Sequence, residues 1–315
     1  MRLTFLENRD DRGRDFRALA VYGKTKPLPS RSRVVHPSPM THPNRIVFPA
    51  DRITKAEIAA HYARVAEKMS PHFDGRLVSL VRAPETIEET FFQSHPAIGM
   101  TPGIRTVGEG DHAGMSLVGA AGLRAAAQCG AVEIHGAMSR HDAPDNPDRL
   151  IFDLDPGLGV SFVALTAAAK EMADHLDAMG VASWPLLTGG KGVHVVAPLD
   201  RSLTSAAVET FARAFARDVE RRRPELFVAS TTGDTRAGRI LVDWTRNKPN
   251  AIAVLPWSLR ARAGAPVAVP LTWGALRKVE SSAAYSLSTI SVLRDPWERF
   301  FETTQTLPAR APARL

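Results

Sequence analysis

Three aspartates are the residues best placed to do chemistry. Asp153 and Asp155 lie in Leu150-Ile151-Phe152-Asp153-Leu154-Asp155-Pro156, and Asp243 lies in Ile240-Leu241-Val242-Asp243-Trp244. Between them comes a glycine-rich run, Thr188-Gly189-Gly190-Lys191-Gly192-Val193-His194. Side chains two apart on a strand share a face, so Asp153 and Asp155 project together while Phe152 and Leu154 pack the other side. Two carboxylates that close repel unless a proton or a divalent cation relieves them. Asp243 follows an apolar run, where a charge is costly unless it is paired or on metal. Three such carboxylates suffice for two-metal transfer, in which divalent ions activate an attacking hydroxyl and steady the leaving oxygen.

The glycine-rich run lacks the Gly-x-x-x-x-Gly-Lys-Ser/Thr pattern of a Walker A loop. Its glycines still let backbone amides approach an anion closely. Thr188, Lys191 and His194 add a hydroxyl, a fixed cation and an imidazole. Other readings stand beside these. Asp-Pro-Gly is a common solvated turn, Asp243 could pair with Arg239 or Arg246, and the glycines could form a plain hairpin. A phosphohydrolase could use Asp153 as nucleophile and Asp155 as acid, although that scheme expects Thr or Val where Gly157 stands. Phe73-Asp74-Gly75-Arg76 faintly echoes the ligase Lys-x-Asp-Gly motif, but His72 stands where the nucleophilic lysine would be.

The elements that must position these residues can be read from periodicity. Thr54 with Glu57 makes a capping box, and Ile58, Tyr62, Val65 and Met69 follow at helical spacing, so 54–69 is a helix. Arg76 to Val81 reads as a strand, 116–129 as a helix and Ala131 to His135 as a strand. After the aspartate strand comes a helix with Ser161 as N-cap and Gly180 as its stop. Strands at Leu186-Leu187 and Val193 to Ala197 flank the glycine run. A helix through Val208, Phe211, Phe215 and Val219 then ends at Arg221-Arg222-Arg223. Strands and helices intermix without a regular βαβ rhythm, which predicts a mixed α+β fold. Residues 1–40, rich in Arg, Asp, Pro and Ser, read as a flexible basic extension. The folded unit is expected over 41–307 and a tail over 308–315.

Composition narrows the partners. A net charge of +7 in 315 residues, with arginine the main basic residue, favours polyanions such as nucleic acid. The single cysteine, Cys129, excludes an internal disulfide and a zinc site built on several cysteines, and it is expected to be a small buried residue. No apolar stretch approaches a membrane span, and Leu3-Thr4-Phe5-Leu6 is too short for a signal peptide, so a cytoplasmic, nucleoid-associated protein is expected. His135 sits among apolar neighbours and could be a core histidine. Of Phe91 and Phe92, adjacent on a strand, one should face outward, where it could stack on a base near Arg82. Arg45, Lys55 and Arg82 could each be ordinary surface charges.

Taken in order, the motifs resemble the polymerase domain of bacterial ligase D, a member of the archaeo-eukaryotic primase superfamily. The resemblance is carried by His42-Pro43-Asn44-Arg45-Ile46-Val47-Phe48-Pro49, Thr54-Lys55-Ala56-Glu57, Arg82-Ala83-Pro84, Phe91-Phe92 and Glu133-Ile134-His135. It continues through Asp153 to Gly157, Thr188 to His194, Arg236-Ala237-Gly238-Arg239, Asp243 to Asn247 and Ser258-Leu259-Arg260-Ala261-Arg262. It implies a primase-like two-layer core with an RRM-like sheet carrying the acidic triad. It implies Asp153, Asp155 and Asp243 as catalytic metal ligands for two ions, Mn2+ or Mg2+. It assigns the incoming NTP or dNTP to His135, Thr188, Gly189, Gly190, Lys191, His194, Arg236 and Arg260. It assigns DNA to Arg45 and Lys55, which would grip a 5′-phosphate, and to Arg82, Phe91 and Phe92. The expected activity is template-directed filling of gaps and DNA ends in non-homologous end joining beside Ku and a ligase, often with ribonucleotides. The alternative to catalysis is a DNA-end synapsis module that binds a 5′-phosphate. Three positions depart from the family pattern: Ala137 stands where a tryptophan is common, Thr86 where glycine is usual, and Arg45 where lysine is frequent.

Overall fold

Thr54 starts the longest helix, Lys55–Phe73, through the reciprocal pair that its spacing to Glu57 predicts. The Thr54 side chain accepts from the Glu57 amide, and the Glu57 carboxylate accepts from the Thr54 amide at 2.8 Å. The helix outlasts the expected 54–69 by four residues and ends where Gly75, at φ +70°, turns the chain into the strand Arg76–Arg82. This computed structural model describes residues 40–97, 102–110, 113–230, 237–290 and 295–308, with the backbone of two paired strands, Leu6–Arg9 and Asp15–Ala18. Most of the 1–40 extension and all but the first residue of the 308–315 tail lie outside the described residues.

Two six-stranded sheets carry the fold, which is mixed α+β as the pattern predicts. The first runs in the order Phe227–Val228, Ile240–Asp243, Arg149–Pro156, Val193–Pro198, Trp184–Leu187 and Val269–Pro270. The second runs Ile252–Val254, Ala131–Arg140, Arg76–Arg82, Gly114–Leu117 and Ile104–Val107, with Phe91–Gln93 pairing to Arg76–Arg82. Residues 116 and 117 are therefore strand, not helix. Their backbone pairs with Ile104–Val107, and the helix Gly119–Gln128 starts only after Val118.

Alternation along Arg149–Pro156 decides which way the aspartates look. Leu150, Phe152 and Leu154 are fully buried in the main core, and Phe152 lies 4.9 Å from Phe215 of the helix Ser205–Arg222. Full burial of such a side chain contributes about 1.5–3 kcal/mol, enough to fix the strand's facing. Ile151, on the opposite face, packs in a separate cluster with Met138, Ala253 and Val254 of the second sheet. The face that bears Asp153 and Asp155 thus looks toward the second sheet, and the helices Phe162–Asp177 and Ser205–Arg222 cover the other side. Arg76, fully buried, ties the second sheet to the first helix and to the loop before the aspartate strand. It donates to the His72 and Ala137 carbonyls and to Asp148 at 2.6 Å.

Candidate active site

Strand register assembles the acidic group. Asp153 stands opposite Asp243 on one neighbouring strand and opposite His194 on the other. Asp243, Asp153 and His194 therefore form a row across the sheet, with Asp155 two residues along on the same face. His194 Nε2 lies 3.4 Å from Asp153 Oδ1. On the other side Arg246, from the turn after Asp243, donates to Asp153 Oδ2 at 3.1 Å and lies 3.7 Å from Asp243 Oδ2. Burial alone would raise the Asp153 carboxyl, but His194 and Arg246 hold it well below the usual carboxylate range. Burial would likewise weaken the Arg246 cation, yet Asp153, Asp243 and Asp155 together push it upward. Three carboxylates thus act on one cationic point. Asp243 also accepts from the Thr245 amide at 2.8 Å, which closes the turn that places Arg246.

The residues at this point suit a hard divalent cation, because carboxylate oxygens are its usual donors and a guanidinium already stands among them. In the present side-chain arrangement, no group of three or more His, Cys, Asp or Glu side chains among the described residues is poised to hold a metal. Space at the site is tight. A Cβ on Gly192 would lie 2.5 Å from the Leu154 carbonyl oxygen, 3.1 Å from Asp155 Oδ1 and 3.3 Å from Asp153 Oδ1. Both oxygens of Asp153 face cationic or imidazole partners, His194 on one side and Arg246 on the other.

The glycine-rich turn lies beside the acidic row. Gly189 has φ +67°, and a Cβ there would come within 2.9 Å of the Arg260 side chain, so no other residue fits without strain. The Thr188 hydroxyl is spent inside the turn. It donates to the Gly192 carbonyl at 3.0 Å and accepts from the Gly190 amide at 3.2 Å, so Thr188 braces the loop. Ser282, which the sequence did not single out, braces it from outside by donating to the Gly190 carbonyl at 2.6 Å. Lys191 is exposed at the tip, and His194 is buried with Nδ1 unpartnered.

His135 is no isolated core histidine. It is only partly buried, lies 6.1 Å from Phe92 and has its Nε2 2.9 Å from Glu133 Oε2. Arg260 Nε lies 3.1 Å from the same oxygen, and Arg260 Nη1 donates to the Thr188 carbonyl at 2.6 Å. His135 and Arg260 therefore meet at Glu133, and Arg260 carries the link on to the glycine-rich turn of the other sheet. Glu133 entered the sequence reading only as part of the motif Glu133-Ile134-His135, with no role assigned to it. Arg236, placed with this group by the resemblance, lies outside the described residues.

A basic and aromatic patch continues from Phe92. Phe91 is exposed, with the Arg82 guanidinium 5.1 Å from its ring, while Phe92 turns inward, as alternation predicts. Arg82 is itself anchored, donating to the Cys129 carbonyl at 2.7 Å and to Gln93 at 2.6 Å. Cys129 is half-buried rather than buried, because it caps the end of Gly119–Gln128. Lys55 is buried at the start of the long helix, with its Nζ 3.0 Å from the Thr41 carbonyl oxygen and 3.5 Å from Gln128. Burial first, then the neighbouring cations Arg45 and Arg82, lower its pKa. Among the described residues, Arg45 pairs with Glu85, at 3.5 Å, and its Nε is buried without a partner. Arg45 and Lys55 together offer an anion two cations, while the amides at the helix start are already taken by the Arg45 and Pro43 carbonyls and the Thr54 hydroxyl.

No helix among the described residues is long and apolar enough to cross a membrane. Residues 54–297 match the family described as "LigD, primase-polymerase domain". The chain is 32% identical over 250 residues to the multifunctional non-homologous end joining DNA repair protein LigD of Mycobacterium tuberculosis, a match covering 75% of this chain and 33% of that protein. It is 32% identical over 281 residues to the corresponding Pseudomonas aeruginosa protein, covering 86% and 34%. The chain thus spans about a third of the length of these relatives. Among solved structures, the polymerase domain of Mycobacterium tuberculosis ligase D in complex with DNA superposes with a TM-score of 0.75 at 30% identity. That match covers 84% of this chain and 98% of the other.

Proposed function

From the premise that this chain belongs to the LigD primase-polymerase domain family, we propose that it is a template-directed polymerase that fills gaps and DNA ends in non-homologous end joining. The observation that carries this reading is the row Asp243, Asp153 and His194, with Asp155 beside it, converging on the single cation Arg246. Asp153, Asp155 and Asp243 would hold two divalent ions, manganese or magnesium. Bound there, such ions supply Lewis-acid activation of a hydroxyl and charge stabilisation at a leaving phosphate.

The chain's own residues bind and orient. The protein contributes no nucleophile: the primer 3′-oxygen bonds to the α-phosphorus of the incoming nucleotide, and the bond to the bridging oxygen breaks to release pyrophosphate. Lys191, His135, His194, Arg260 and Arg236 hold the triphosphate, while the Gly189 and Gly190 amides, bonded to the Ser282 carbonyl and the Thr188 hydroxyl, keep the loop in shape. Arg260 lies against Glu133 and the Thr188 carbonyl, so its charge stays fixed while the phosphates arrive. Phe91 and Phe92 stack near the templating and incoming bases, steadied by Arg82. Arg45 and Lys55 grip the 5′-phosphate across the gap. Ku and a DNA ligase are the proposed partners, and ribonucleotides the favoured substrates.

The test is extension of a gapped duplex bearing a 5′-phosphate, with manganese and either ribo- or deoxyribonucleotides. Metal-dependent extension is expected and should vanish in Asp155→Ala. A folded protein that extends no primer with any nucleotide sinks the polymerase reading. Binding of 5′-phosphorylated ends that survives loss of all three aspartates, without incorporation, would mark a synapsis module instead.

A further inference from the structure

We infer that Glu133 is a positioning residue of the nucleotide site, the buried anion that sets both the proton of His135 and the aim of Arg260. This inference rests on the polymerase reading and deepens it. Glu133 is 7% exposed on the strand Ala131–Arg140, among residues that are otherwise apolar core. Its Oε1 accepts from the Ala261 amide at 2.9 Å, which fixes the carboxylate plane. Its Oε2 faces His135 Nε2 at 2.9 Å and Arg260 Nε at 3.1 Å. Arg260 in turn donates to the Thr188 carbonyl in the first sheet. One carboxylate on the second sheet therefore holds a cation against the glycine-rich turn of the first.

An ionised carboxylate only accepts hydrogen bonds, so the ring nitrogen facing it must carry the hydrogen. Burial would raise the Glu133 carboxyl, but Arg260 and then His135 hold it well below the carboxylate range. Nε2 of His135 is thus the protonated nitrogen, and Nδ1 is the one not committed to Glu133. A buried ion pair contributes little net stability compared with apolar packing. What this arrangement provides instead is direction: an imidazole with a defined tautomer and a guanidinium with a fixed fork, both set before substrate arrives.

Glu133→Gln keeps the volume and an oxygen for the Ala261 amide, but removes the charge. It is expected to raise the KM for a nucleoside triphosphate about tenfold or more, the usual worth of a charge-assisted hydrogen bond, with kcat changed far less. Affinity for 5′-phosphorylated DNA should stay at the wild-type level. A purely structural role would instead depress stability, kcat and DNA binding together. Adding Arg260→Ala to Glu133→Gln should cost little beyond the worse single change, because both act through one contact. Glu133→Asp, one methylene shorter, should fall between wild type and Gln.

Should these variants fail to fold, nitrogen-detected NMR of the intact wild-type protein decides. Nε2 of His135 should be protonated, and the Nδ1 resonance should shift when ATP is added. An unprotonated Nε2, or a folded Glu133→Gln protein with wild-type KM, overturns the inference and leaves the polymerase reading intact. A wild-type protein that neither binds nor incorporates nucleotides would instead bring down that reading itself.

Discussion

Gly192 and Arg246 show how closely the acidic site is bounded by single side chains. The missing Cβ of Gly192 is what lets the turn lie against Leu154 and the two strand aspartates. Gly192→Ala should fold, yet displace the carboxylates. A shift near 1 Å in a transfer site costs about a hundredfold in rate, so primer extension should fall by that order while the circular dichroism spectrum is unchanged. Wild-type extension by this variant would mean that the turn yields without moving the carboxylates. Arg246 is drawn to all three aspartates at once. Arg246→Ala leaves Asp153 buried beside an imidazole alone, and should destabilise the metal-free protein by about 3 kcal/mol. Manganese should raise the melting temperature of this variant more than that of wild type, because a cation then takes the place of the guanidinium. An equal rise in both proteins would show that the ion does not sit among these carboxylates.

The helix Lys55–Phe73 serves two ends of the molecule, and its inner face makes stability depend on pH. Its capped start carries Lys55 into the proposed phosphate site, while His61, nearly fully buried, has its Nε2 2.9 Å from the Trp257 carbonyl oxygen. Desolvation lowers the His61 pKa from 6.5 to about 4. The unfolded chain therefore takes up a proton that the folded protein refuses between those values. The sign follows: the neutral imidazole's contribution is fully present above pH 6.5 and is lost as pH falls toward 4. Between pH 7 and pH 5 the loss from this group alone should be about 2 kcal/mol. His72, fully buried against Trp297 and also shifted down, acts in the same direction. Denaturant midpoints at pH 7 and pH 5 should thus separate more in wild type than in His61→Gln, whose amide can still donate to Trp257. Equal separation would mean that His61 titrates alike in both states.

Across the molecule, the sites form a continuous path from Arg45 and Lys55 through Arg82, Phe91 and Phe92 to His135, Arg260 and the acidic row. A net charge of +7 would draw a polyanion such as DNA from a distance, but only local cations could recognise a phosphorylated end. Replacing both Arg45 and Lys55 with alanine should lower affinity for a 5′-phosphorylated gap to that for a 5′-hydroxyl gap. A preference for the phosphate that survives both changes would place its recognition elsewhere. Residue types and two-residue spacing were enough to read from sequence the strand carrying Asp153 and Asp155, the caps at Thr54 and Ser161, and that one of Phe91 and Phe92 faces outward, because each depends on local periodicity. The start of the helix at Gly119 was not legible, since pairing of Gly114–Leu117 with a distant strand overrode local preference. Arg246 was legible as a partner of Asp243, but the partners of Asp153 were not. Sequence determined that three carboxylates, a glycine-rich turn and scattered cations occur in order. Only tertiary structure decided that Asp243 and His194 flank Asp153, that Arg246 stands among the acids, and that Glu133 joins His135 to Arg260. Those relations are set by strand register and the meeting of two sheets, which bring together side chains far apart in sequence, Asp153 with Arg246 and Glu133 with Ala261 among them, and leave no trace in local spacing.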